Sequence, residues 1–229
     1  MRHLAPWLAV RITSNRPDAD NRLFSALERG LAGLGARVER SAQDNLVRRI
    51  GPRTVIPDPL PPFPTVAPTA AVVVRVEGLP NLLHEVGHLM LARVLDDDHG
   101  IDYQAIPFNL DTKAGRAVLF EELACCTLSC GYPRPLTDSA AWAWADAWFA
   151  EQVEIQPVFY GLEQTPDRFW ERVAEVYRDH AAACEATVER AFRGTEALLR
   201  WAGCATGVAA PAQRLSFRTL LRRARPAEA

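Results

Sequence analysis

Apolar residues recur at helical spacing early in the chain, where Leu23, Leu27, Leu31 and Leu34 repeat with Phe24 beside them and polar residues between. That period predicts an amphipathic helix over Asp20–Leu34, ended by Gly33 and Gly35. The glycines Gly30, Gly33 and Gly35 follow a helix and precede a strand, the reverse of a dinucleotide-binding loop. Residues 52–68 carry Pro52, Pro57, Pro59, Pro61, Pro62, Pro64 and Pro68, which exclude a helix and leave an extended connector with at most short edge strands. The valine-rich run Ala70–Val76 predicts a strand. After Gly78 and Pro80 a helix is expected over Asn81–Leu95, with Leu83, Val86, Met90 and Val94 as its buried stripe. Residues Ile101–Ala117 look irregular.

Further on, the pattern predicts a helix over Val118–Ser129, stopped near Gly131 and Pro133. A Trp-rich helix over Ser139–Ala150 follows, carrying Trp142, Trp144 and Trp148, which read as core. A long helical region, Pro166–Trp201, is expected to break near Gly194. Strands gather in the first half and helices in the second, which defines an α+β fold. Residues 1–210 read as one metal-binding domain of zincin-like architecture. Residues 211–229, with Arg214, Arg218, Arg222, Arg223 and Arg225, read as a solvated, flexible end.

The chain has 229 residues, of which 48% are hydrophobic and 24% charged, so a packed core is expected and global disorder is excluded. A formal net charge of -2 gives no basic excess and argues against a nucleic-acid partner. No apolar run approaches the roughly 20 residues of a membrane span. Met1–Val10 lacks the apolar segment of a signal peptide. The five cysteines fall at irregular spacing without a CxxC pair, which favours a reducing cytoplasm over a disulfide framework. Oligomeric state leaves no mark in the pattern.

The strongest chemical signal is His84-Glu85-Val86-Gly87-His88, an HExxH motif on an expected helix. Residues four apart share a helical face, so both imidazoles can converge on one metal ion. Glu85 falls on the flank where a metal-bound water would sit and can act as its general base. Gly87 leaves room for a neighbouring backbone. Leu91 and Val94 stand where the extended motif has its glycine and third histidine, so another residue must complete the site. Phe120-Glu121-Glu122-Leu123-Ala124 offers one on the next helix, whose buried stripe is Leu119, Leu123 and Cys126. Glu122 is favoured over Glu121, with Glu151 and Glu154 as the rival source.

The run Leu82–Leu91 followed by Glu121-Glu122-Leu123-Ala124 resembles the gluzincin class of zinc metallopeptidases. The resemblance implies zinc held by His84, His88 and a downstream glutamate, Glu85 as base, and a peptide or protein substrate. No Asn precedes Glu121 as it does in the fuller pattern of that class. An extended peptide could add as a strand beside 70–76. A second resemblance is to the elongation factor P hydroxylases, through Val72–Gly78, Leu83–His88, Asp102–Phe108, Phe120-Glu121 and Gly131-Tyr132-Pro133. It implies Fe(II) on two histidines and one carboxylate and a hydroxylation in place of hydrolysis. A non-catalytic metal-binding protein is the third possibility.

Remaining chemistry-bearing residues read as structural. Cys125, Cys126 and Cys130 suit small buried hydrophobes better than ligands or nucleophiles. Asp96–Asp98 with His99 suit a solvated loop, and His180 has no partner at ligand spacing. Tyr103, Tyr132 and Tyr160 could serve as oxyanion stabilisers, and nothing selects one of them.

Overall fold

A computed structural model describes residues 17–42, 45–62, 69–97, 109–131, 136–154, 156–159, 165–204 and 214–225. The fold is α+β, with a small sheet in the N-terminal half and helices thereafter. The expected tracts 101–108, with Tyr103, and 132–135 lie outside the described residues, as do Asp98, His99 and Tyr160.

Helix α1 (Pro17–Leu34) buries Leu23, Leu27, Leu31 and Leu34 on one face and ends at Gly35, whose φ of 97° favours glycine. Strands β1 (Ala36–Arg40), β2 (Leu46–Arg49), β3 (Thr54–Val55) and β4 (Val72–Val76) follow. The main sheet has the order β1-β4-β2, with β1 parallel and β2 antiparallel to β4. Val38, Val74 and Val47 stand side by side across it. All four valines of β4 are buried, which suits a central strand covered on both faces. That position corrects one expectation. β4 has both backbone edges engaged and cannot accept a peptide strand; β1 and β2 form the edges.

Helix α2 (Leu79–Ala92) carries the HExxH motif and begins at Leu79, where Pro80 occupies the first turn. It stops before the expected Leu95. Arg93 adopts a left-handed conformation at φ 55°, and its N–H bonds the Leu89 carbonyl. The chain then turns into β5 (Val94–Leu95), antiparallel to β3. Val94 therefore pairs with Val55 rather than extending the stripe of Leu83, Val86 and Met90. Pairing with the proline-rich segment overrides the helical period here, and Thr54–Val55 is the short strand that segment allows.

Helix α3 (Lys113–Gly131) starts earlier than expected, at a turn where the Thr112 hydroxyl accepts the Gly115 N–H. Every residue from Leu123 to Gly131 is buried, so α3 lies in the middle of the molecule, packed on α2, on α4 (Ser139–Glu154) and on α6 (Pro166–Trp201). Close packing of α3 on α2 depends on Gly87, since a Cβ there would lie 2.8 Å from Cys125 Sγ. On α4, Trp144 and Trp148 are buried as expected, and the Trp148 indole N–H donates to Ser129 Oγ at 2.8 Å. A four-residue helix, α5 (Gln156–Phe159), precedes α6.

Two expectations about the C-terminal half are corrected. The irregularity in α6 falls at His180 (φ -132°, ψ 24°), not at Gly194. Gly194 instead lets α6 approach α2, where a Cβ would meet Met90 Cβ at 2.8 Å. The arginine-rich end is not frayed over 214–225. Helix α7 (Phe217–Ala224) buries Phe217, Leu220 and Leu221. Glu185 accepts the Arg218 N–H at its start, and the Arg223 and Arg214 guanidiniums pair with Asp146 and Glu196. The apolar residues spaced between the arginines make that segment amphipathic, and burial of Phe217 docks it. Residues 211–213 and 226–229 lie outside the described residues.

Candidate metal centre

The centre forms where α2 faces α3. One helical turn separates His84 from His88, and their Nε2 atoms approach to 3.1 Å. Glu122, from α3, brings Oε2 to 3.7 Å from His84 Nε2 and Oε1 to 3.5 Å from His88 Nε2. These side chains form a group able to hold a metal ion, each offering one donor atom within 4.8 Å of the others. Their side chains keep 13%, 18% and 23% of their surface exposed, so solvent reaches a centre built on buried helices.

Glu121 and Glu122 have different places. Glu121 Oε1 lies 2.9 Å from His88 Nδ1, on the far side of the imidazole from Glu122. A carboxylate in its ionised form only accepts, so Nδ1 carries the proton and Nε2 is the nitrogen turned to the other donors. Such a carboxylate–histidine pair fixes the tautomer and orientation of a ligating ring. The alternative in which Glu121 is the third donor is thus corrected: it stands behind the ring. Glu151 lies exposed on α4 and outside the donor group, and the Glu154 side chain lies outside what is described.

Gln156, which the sequence gave no reason to single out, completes the surroundings. It is 2% exposed, and its Nε2 donates to Glu122 Oε2 at 3.3 Å. Four buried side-chain polar atoms lack a partner among the described residues, and His84 Nδ1 and Gln156 Oε1 are two of them. Orphaned buried polar atoms are uncommon in packed proteins and mark places where a ligand or solvent takes part. Glu85 is buried on α2, directly after His84.

The electrostatics follow from this crowding. Burial acts to raise the Glu122 pKa, yet the two imidazoles and the bonds from His84 and Gln156 bring it down to about 2. Burial acts to lower the His88 pKa, but Cys125, Glu122 and Glu121 around it outweigh burial and carry it well above 6.5. Burial pushes the Cys125 thiol up to about 12, so it stays protonated and is no nucleophile. Cys126 and Cys130 are likewise buried, with their pKa values raised by burial.

Elsewhere, Asp96 is paired with Arg49 and Arg53 at 3.1 and 2.8 Å rather than offered to a cation. Asp97 accepts the Arg49 backbone N–H.

No family model, curated protein or solved structure matches this chain. The class is accordingly set by the site alone: an α+β protein with a possible two-histidine, one-carboxylate metal centre. None of its described helices is long and apolar enough to cross a membrane.

Proposed function

We propose that this protein is a mononuclear metal-dependent hydrolase, with zinc as its metal and a peptide or protein as its substrate. The observation that carries the reading is the cluster of His84, His88 and Glu122, whose donor atoms lie within 4.8 Å of one another beside Glu85 of the same helix. Three protein donors leave one position open, as catalytic zinc sites do.

A metal held by His84, His88 and Glu122 would supply a water of lowered pKa, and Glu85, the motif's glutamate, would be the general base for its proton. Glu121 holds the His88 tautomer from behind, and the depressed pKa of Glu122 keeps its carboxylate ready to bind a cation. The donor set also suits Fe(II), the hydroxylase reading, in which Glu85 has no proton to take.

The test is elemental analysis of protein purified without chelator, with His84→Ala as control, followed by peptide-cleavage screens. We expect near-stoichiometric zinc that His84→Ala loses, and Glu85→Gln that keeps zinc while losing cleavage. Full activity in Glu85→Gln removes the hydrolase mechanism. Iron with oxygen uptake and an oxygenated product replaces it with the hydroxylase. Zinc without turnover leaves a non-catalytic metal protein.

A further inference from the structure

We infer that Gln156 is a positioning residue of the metal centre: its buried amide fixes the Glu122 carboxylate. The inference rests on the proposed metal centre. Gln156 is almost wholly buried, which is costly for an amide unless its polar atoms are bonded. Only its nitrogen is, to Glu122 Oε2. The orientation is not arbitrary. Ionised Glu122 offers no proton, so the NH2 group must face it and the carbonyl must turn away.

This arrangement divides the work of the Glu122 carboxylate. Oε2 is tied by Gln156, while Oε1 faces His88 Nε2 and keeps its lone pairs for a cation. A carboxylate held at one oxygen binds through the other, which keeps coordination low. A free carboxylate can swing to grip a metal with both oxygens. Pro157, directly after Gln156 in α5, restricts the backbone on which the amide is mounted.

The experiment compares full-length wild type, Gln156→Leu, Gln156→Ala and His84→Ala. Zn2+ affinity is read by competition with a chromophoric chelator, coordination by the visible absorption of the Co2+ form, and folding by urea denaturation of the metal-free proteins. Leucine keeps the volume but leaves Glu122 Oε2 without its donor, so the metal-free protein should be less stable yet still fold. We expect Zn2+ affinity to fall about 10- to 100-fold in both Gln156 variants, as for other lost outer partners of a metal ligand. The Co2+ absorption should weaken as coordination number rises, with Gln156→Leu at a lower urea midpoint but still unfolding cooperatively. Unchanged affinity and spectrum in both variants, while His84→Ala abolishes binding, overturn the inference and leave the metal centre standing. Loss of the metal-free fold in both variants also overturns it, making Gln156 a core residue. No binding of either metal by wild type removes the metal centre and this inference together.

Discussion

Gly87 sits inside the HExxH motif, yet its role is in packing, and the size of that role follows from three distances. A Cβ at position 87 would lie 2.8 Å from Cys125 Sγ, 3.3 Å from Leu128 Cδ2 and 3.4 Å from Cys125 Cα. Comfortable non-bonded separations begin at about 3.5 Å, so the worst contact falls short by about 0.7 Å. The Sγ belongs to a short side chain that is fully buried, with Leu128 Cδ2 and the Cys125 backbone close behind it, so relief requires α2 and α3 to part. Overpacking of this kind costs about 1–3 kcal/mol, while alanine gains about 1 kcal/mol over glycine in helix propensity. Gly87→Ala should therefore destabilise the metal-free protein by about 0–2 kcal/mol. Because α2 carries both histidines and α3 carries Glu122, the same separation should weaken zinc binding. The assay is urea unfolding of Gly87→Ala, Cys125→Ala and the double variant, with zinc affinity measured on each. Removing Sγ should relieve the clash, giving a favourable coupling of about 1–2 kcal/mol in the cycle. A Gly87→Ala protein that gains the full propensity term, shows no coupling to Cys125 and binds zinc like wild type would refute the reasoning.

Other expectations follow from the same geometry. His88, raised above 6.5 on folding, contributes stability that is fully present below pH 6.5 and is lost as pH rises through its folded value. Glu122, lowered from 4.5 to about 2, contributes stability present above pH 4.5 and lost as pH falls through about 2. Both contributions hold between pH 4.5 and 6.5, so urea midpoints of the metal-free protein should drop on either side of that window. Zinc must displace the His88 proton, so affinity should rise with pH and binding at about pH 7 should release about one proton; calorimetry in two buffers of different ionisation enthalpy counts it, and a count of zero contradicts the assignment. Glu121→Gln should lower zinc affinity about 10-fold or more by removing the anionic acceptor behind His88, with Glu122→Gln more severe; equal affinities in wild type and Glu121→Gln would dismiss the pairing. Phe217→Ala should cost about 3–5 kcal/mol in urea unfolding, because the ring is fully buried; a loss near zero would mean that α7 does not dock.

Local periodicity carried much of the fold and half of the centre. The stripes of α1 and α2, the valines of β4 and the i, i+4 histidines obey spacings a single element dictates, and each is legible without a partner. What could not be read depends on partners. Leu95 left the helical pattern because β3 offers it a strand to pair with. Helix α3 is buried almost all round in its second half, so no apolar stripe could say which glutamate faces α2. Gln156 is a neutral amide with no metal-ligand signature, and it reaches Glu122 only through the packing of α5. It lies two residues beyond Glu154 and carries no charge to mark it.

The doubled glutamate of α3 shows why that ambiguity had no answer of the either-or kind. Adjacent residues on a helix point about 100° apart, so both carboxylates cannot reach one point beside His84 and His88. They can reach the two nitrogens of a single imidazole, and they do: Glu121 stands at His88 Nδ1 and Glu122 at its Nε2. In the proposed centre one neighbour would be an inner donor and the other the outer partner that sets the tautomer. A Glu-Glu pair on the helix facing an HExxH motif can supply both parts of the centre in a single step of sequence. Exchanging the order of roles would require α3 to rotate by that same angle, which the burial of Leu123, Ala124 and Cys126 around the rest of the helix forbids.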